Sequence, residues 1–69
     1  MSTGIRVLRA LTILSGYCEP EKLELIPEHD EVWIGHEIPP EKLSEEDRKR
    51  MEELRFRWDA GIPAWHGFV

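Results

Sequence analysis

The sequence predicts a small α+β domain in which helices pack on one face of an antiparallel sheet, in the order helix, strand, strand, helix, strand, strand. An apolar stripe with helical spacing opens the chain, and a serine followed by acidic residues starts a second helical segment. Short runs of β-prone residues bounded by proline and glycine follow each helix. The length of 69 residues leaves room for a single domain, residues 1–69.

The first helix is predicted to start at Ser2 or Thr3, either of which can cap it, and Gly16 is placed to end it. Its inward stripe is predicted from residues three and four positions apart, namely Val7, Leu8, Leu11 and Leu14, and it is broadened by Ile5, Ala10 and Ile13. Because the segment is also rich in β-branched residues, a buried strand is the alternative.

The first pair of strands is predicted at residues 22–25 and 32–34, joined by a turn at residues 27–30 and ended by Gly35. Residues 36–42 contain two consecutive prolines, which lack backbone donors, and are predicted to form an extended connector.

The second helix is predicted to begin at Ser44, whose hydroxyl can accept from the Asp47 N–H while the Asp47 carboxylate reaches back to the Ser44 N–H. Met51 and Leu54 supply its inward face. From Leu54 the apolar residues alternate, which predicts a strand, a turn at residues 60–63 and a returning strand at residues 64–69.

The charge of the chain is concentrated in its middle. Residues 18–47 carry eleven acidic side chains and two lysines, a net charge of −9, whereas the whole chain has a net charge of −5. Such a segment repels phosphates and attracts basic surfaces, so we expect no direct binding of nucleic acid. The basic residues after Asp47 are expected to pair with nearby carboxylates, Asp47 with Arg50 or Arg48 with Glu52.

The sequence gives no indication of an enzyme, a cofactor or a metal site. Residues 29–31 and His36 are of metal-binding types, but their spacing fits no helical ligand pair and favours a solvated acidic turn. Cys18 and His29 lack a third residue to orient them as a nucleophile and base. A lone cysteine and the absence of an apolar run of about 20 residues predict an intracellular protein with no membrane contact.

From about residue 22 onward the chain resembles a family of small phage and prophage proteins, most of them uncharacterised. The resemblance rests on four segments, residues 28–35, 43–47, 56–59 and 65–69. They form a histidine-aspartate turn before a strand, a capped helix, and a tryptophan-rich hairpin. Family members tend to have glycine where the helix ends, whereas this chain has Arg55. The resemblance implies a phage context, in which compact acidic proteins such as anti-CRISPR proteins disable a host machine, and it therefore implies a location in the host cytoplasm.

These observations predict a non-enzymatic inhibitor that covers a basic nucleic-acid-binding surface of a host protein or protein-RNA complex, such as a CRISPR effector. Trp33 is the expected apolar anchor. The acidic contacts are expected from Glu24, Glu28, Asp30, Glu31, Glu45 and Glu46. The alternative is a structural or accessory subunit that forms a homodimer through an aromatic sheet face, and a third possibility is that the acidic residues only keep the domain soluble.

Overall fold

A computed structural model describes residues 2–68, apart from the side chain of Pro20, and confirms the predicted class and order of elements. The helices are α1 (Thr3–Leu14) and α2 (Glu45–Glu53). The strands are β1 (Leu25–Glu28), β2 (Glu31–Ile34), β3 (Arg57–Asp59) and β4 (Ala64–Phe68). Short 3-10 turns at Pro20–Lys22 and Pro40–Lys42 precede β1 and α2.

The four strands form one antiparallel sheet in the order β1-β2-β4-β3. Each hairpin pairs two consecutive strands, and the pairing of β2 with β4 joins the hairpins. In that central pair Ile34 lies opposite Trp65, and Val32 lies opposite Gly67. Because side chains alternate across a strand, these four residues share one face of the sheet, and this is the face that the helices cover.

The core fills the space between the covered face and the helices. Its buried apolar residues are Ala10, Leu14, Val32, Ile34, Ile38, Leu43, Met51, Leu54, Phe56 and Trp65. Phe56 has the largest of the fully buried side chains. The indole Nε1–H of Trp65 donates to the carbonyl oxygen of Ile38 at 2.8 Å, so this buried polar group is satisfied.

Helix α1 begins as predicted, with the Ser2 hydroxyl accepting from the Ile5 N–H at 3.3 Å. Its inward stripe is narrower than predicted, because Leu8 is 64% exposed and Ile5 is 46% exposed. The residues of α1 that pack in the core are Val7, Ala10, Leu11, Ile13 and Leu14, which keep the helical period.

The first hairpin is shifted from its predicted position. Strand β1 begins at Leu25, and Pro27 lies within it opposite Val32, so the turn consists of His29 and Asp30 alone. Proline is tolerated there because β1 is an edge strand, where a missing N–H breaks no ladder.

The sequence predicted an extended connector after β2, whereas the structure shows turns in this segment. The Ile38 N–H donates to the Gly35 carbonyl at 3.2 Å, and the Pro40–Lys42 turn follows. These turns fold Ile38 into the core.

The start of α2 is stabilised by a tyrosine from outside the helix. The Ser44 hydroxyl accepts from the Asp47 N–H at 3.1 Å, as predicted. The Asp47 carboxylate does not reach back to the Ser44 N–H. That N–H donates instead to the Tyr17 hydroxyl at 3.1 Å, and the same hydroxyl donates to the Asp47 carboxylate. Tyr17 thus completes the capping box and ties the segment after α1 to α2.

Replacing Tyr17 with phenylalanine is expected to lower the free energy of unfolding by about 1 to 2 kcal/mol, because it removes a hydrogen bond to a charged group and leaves the Ser44 N–H without its acceptor. Urea denaturation followed by circular dichroism measures the loss. Ser15→Ala is the matched control, since its hydroxyl only bonds locally to the Thr12 carbonyl. Equal stability of Tyr17→Phe and wild type would contradict the proposed role of the hydroxyl.

Helix α2 ends in a Schellman motif, and β3 therefore starts at a later residue than predicted. The Phe56 N–H donates to the Met51 carbonyl at 3.0 Å, and the Arg55 N–H donates to the Glu52 carbonyl at 2.9 Å. This motif requires a left-handed residue, usually glycine, and Arg55 occupies it with a φ of 65°. The strand predicted from Leu54 therefore begins only at Arg57, although Leu54, Phe56 and Trp58 all contribute to the core as their alternation predicted.

Candidate functional site

The face of the sheet opposite the helices, called the outer face below, brings together several residues that the sequence analysis singled out. By strand register it is formed by Ile26, Glu28, Glu31, Trp33, Arg57, Asp59, Ala64, His66 and Phe68. Both helices contribute their buried residues to the other face. On the outer face Ala64 is buried, and the residues that an interaction partner can reach most readily are the exposed Ile26, Glu28, Arg57 and Phe68.

An aromatic row crosses the centre of the outer face. The ring centroids of Trp33 and His66 lie 4.8 Å apart, and those of His66 and Phe68 lie 4.9 Å apart. Phe68 is 62% exposed, and Ile26, which pairs with Trp33, is 44% exposed. Neighbouring apolar groups left in water on a small domain mark an interaction surface.

Trp33, the expected anchor, is half-buried within this row. Its indole Nε1 is buried and has no hydrogen-bond partner among residues 2–68. The part of the ring that meets solvent is therefore carbon, which suits an apolar contact rather than a hydrogen bond.

Three of the predicted acidic contacts lie at the tip of the first hairpin. Glu28 lies directly opposite Glu31, and Asp30 lies in the turn between them. Like charges at opposed positions destabilise a hairpin. The Glu31 carboxylate is 3.1 Å from the His66 Nε2, so a protonated His66 would form an ion pair with it. The tip forms an acidic rim beside the aromatic row.

The remaining predicted contacts lie elsewhere. Glu24 precedes β1 at the base of the hairpin and is exposed. Glu45 and Glu46 begin α2, and the Glu46 carboxylate forms an ion pair with Arg50 at 2.7 Å. Asp47 lies 3.7 Å from Arg50, so that predicted pair is present, whereas no Arg48–Glu52 pair forms within 4.0 Å.

The hairpin tip and the start of α2 lie at opposite ends of the domain. Arg6, in the first turns of α1, donates to the Phe68 carbonyl at 3.1 Å, and Phe68 pairs with Glu31 near the tip. Tyr17, just beyond the other end of α1, contacts Ser44 at the start of α2. The eight residue steps from Arg6 to the end of α1 at Leu14 correspond to about 12 Å. The acidic residues therefore form two groups rather than one continuous negative face.

Comparisons with known proteins add no relative. No model of a protein family matches the chain, and no curated protein and no solved structure matches it. The resemblance to small phage proteins therefore stays a prediction.

Sequence reasoning missed the most exposed aromatic residue of the outer face. Phe68 was assigned to the last strand, but no role was given to it. A signal was present, because the two-residue period of a strand over Ala64–Phe68 places His66 and Phe68 on the face opposite Trp65. The strand pairing that places His66 and Phe68 beside Glu31 and Trp33 joins residues more than thirty positions apart, and no local pattern encodes it.

The geometry offers no catalytic arrangement of the residues considered for chemistry. Cys18 lies just after α1, with its Sγ 3.9 Å from the Leu14 carbonyl, whereas His29 lies at the hairpin tip. Within residues 2–68 no group of three or more His, Cys, Asp or Glu side chains is placed to hold a metal ion. No helix in the same range has the length and apolar character needed to cross a membrane.

Proposed function

We propose that this protein is a non-enzymatic, phage-type inhibitor that binds a basic, nucleic-acid-binding surface of a host protein complex, such as a CRISPR effector, through its outer face. The observation that carries the proposal is the joining of an aromatic row, in which Phe68 is exposed and Trp33 and His66 are half-buried, to an acidic rim on the sheet face opposite the helices. Such a face matches the usual anatomy of an interface, in which aromatic side chains anchor the centre and charges at the rim speed association.

This proposal narrows the set of contact residues. The predicted partner contacts that lie on the outer face or at its tip are kept, namely Glu28, Asp30, Glu31 and Trp33. Phe68 is added to this set. Glu45 and Glu46 lie at the far end of the domain, where they stabilise the start of α2 through its dipole. We therefore assign them no role in binding.

Reversing a charge at the acidic rim is expected to weaken partner binding without lowering the stability of the domain. Glu28→Lys is expected to weaken partner binding at least about tenfold, because it places a positive charge against a basic surface. The same change replaces the opposed Glu28 and Glu31 with an attractive pair, so the domain should be equally stable or slightly more stable. Loss of binding with retained stability is the expected combination, measured by capture and by thermal denaturation.

The experiment uses tagged protein to capture host proteins from lysate at low and high salt. The recovered partner is then purified for affinity measurement and for a test of whether the inhibitor displaces its nucleic acid. Phe68→Ser should also reduce binding, whereas Glu45→Lys is the matched control and should bind like wild type. If Glu28→Lys and high salt leave the partner bound, or if Glu45→Lys weakens binding as much, the proposal is wrong.

The second candidate function is a homodimeric accessory subunit, and the charge of Arg57 favours it. Arg57 lies on the outer face next to His66, on the side of the sheet away from Glu28. A two-fold axis through the aromatic row would bring Arg57 of each copy toward the acidic rim of the other. Light scattering should then report a dimer that Glu28→Arg breaks and that the double variant Glu28→Arg, Arg57→Glu restores. A monomer at all concentrations would rule it out.

A further inference from the structure

A second surface of the domain, which we call the arginine cleft, lies between α2 and the edge strand β3. Arg48 and Glu52 line it from α2, Arg55 from the Schellman turn, and Arg57 and Trp58 from β3. Pro40, Phe56, Trp65 and Phe68 complete its lining. The cleft is open and has a volume of about 700 Å³, within the range of sites for small organic ligands.

The three arginines of the cleft carry charge that the described part of the protein does not neutralise. Within residues 2–68 no carboxylate oxygen lies within 4.0 Å of a guanidinium nitrogen of Arg48, Arg55 or Arg57. Arg50, on the same helix, by contrast pairs with both Glu46 and Asp47. Among residues 2–68, Glu52 is the one acidic residue that lines the cleft, so within this range three positive charges face a single negative one.

The backbone under Arg55 adds a second observation. Its left-handed φ of 65° suits glycine, and an arginine pays conformational strain there. Strained residues concentrate at functional sites, where the side chain has a use that offsets the strain. At this position the side chain is an arginine that lines the cleft.

The chemistry of the cleft identifies a class of ligand. Guanidinium groups bind phosphate oxygens through paired hydrogen bonds, and aromatic rings offer a surface on which a flat base can stack. Trp58 is half-buried, with one side packed edge-on against Trp65 at a centroid distance of 5.8 Å. The net charge of −5 opposes the binding of a long polyanion, which would extend over the rest of the domain. A mononucleotide is small enough to contact the cleft alone.

We propose that the arginine cleft binds a nucleoside phosphate, with its phosphates between Arg48, Arg55 and Arg57 and its base against Trp58. This site is separate from the acidic rim of the outer face, although Arg57 and Phe68 border both surfaces. The proposal does not depend on the proposed inhibitor function.

Calorimetric titration of the full chain with ATP at low salt tests the proposal. Saturable binding is expected, and Arg48→Ala should weaken it roughly tenfold. Glu52→Gln should strengthen it, because it removes the negative charge within the cleft. Arg9→Ala, on the exposed side of α1, is the matched control and should leave the affinity unchanged.

Arg55→Gly distinguishes a binding role from a structural one. It should raise the Tm, because glycine adopts the left-handed conformation without strain, and should weaken ATP binding by a similar factor of roughly ten. Tripolyphosphate, a hexaglutamate peptide and an oligothymidylate are the competing probes. Absence of saturable ATP binding, equal loss in Arg9→Ala, or tighter binding of any of these three probes would overturn the proposal.

Discussion

Replacing Gly35 with alanine is expected to lower the free energy of unfolding by about 3 to 4 kcal/mol, which is most of the stability of a domain of this size. Gly35 ends β2 with a φ of 64°, a left-handed conformation that costs a residue with a Cβ atom about 1 to 2 kcal/mol. An added Cβ would also lie 2.6 Å from the Leu14 Cδ1 and 3.0 Å from the Trp65 Cδ1. Both neighbours are buried, so neither has free space into which to move.

Thermal denaturation of Gly35→Ala should show a Tm lowered by at least about 12 °C. Gly4→Ala is the matched control, because Gly4 lies in α1 and an added Cβ there meets no atom within 4 Å. Alanine favours the helix, so the control should be at least as stable as wild type. A Tm for Gly35→Ala close to that of the control would show that the connector after β2 adapts and that the tight contact is not needed.

Truncating Phe56 to alanine is expected to cost about 3 to 5 kcal/mol, through lost burial and the cavity that remains. The ring is 1% exposed and lies against Gly67, where a Cβ atom would be 2.7 Å from its Cε1. The guanidinium of Arg6 also lies over the ring, 5.8 Å from its centroid. Phe56 thus joins α1, the end of α2 and β4.

Urea denaturation of Phe56→Ala should show either no folded baseline or a midpoint far below that of wild type. Phe68→Ala is the matched control, because the same side chain is removed from an exposed position and the stability should change by less than about 0.5 kcal/mol. Phe68→Ala should also fold and yet capture less partner, as expected for a contact residue of the outer face. Similar losses of stability in both variants would contradict the assignment of Phe56 to the core and Phe68 to the surface.

Local signals predicted the parts of the fold that depend on near neighbours. The Ser2 and Ser44 caps, the turn after Asp59 and the alternation around Phe56 all follow from residues within a few positions. The wrong predictions concern positions whose burial depends on residues far away in the sequence. Leu8 fits the helical stripe as well as Ala10 does, and only the position of the sheet and α2 selects Ala10.

In the candidate site, too, the sequence predicted what near neighbours determine and missed what distant residues determine. Trp33 and the acidic tip were found because they lie together in the sequence. Their union with His66 and Phe68, and their separation from Glu45 and Glu46, depend on the pairing of β2 with β4 and on the course of α1. Charge counted along the chain gave one negative segment, whereas the fold divides it between two ends of the molecule.

Strand β4 follows β3 in the sequence but lies between β2 and β3 in the sheet. This order has a consequence for synthesis on the ribosome. A nascent chain that has exposed only residues 2–56 contains both helices and one hairpin, but it lacks β4, which occupies the middle of the finished sheet. Until β4 emerges, Ile34 and Phe56 have no Trp65 and Gly67 against which to close. We expect the polypeptide to stay protease-sensitive until β4 has emerged and then to acquire its resistance in one step.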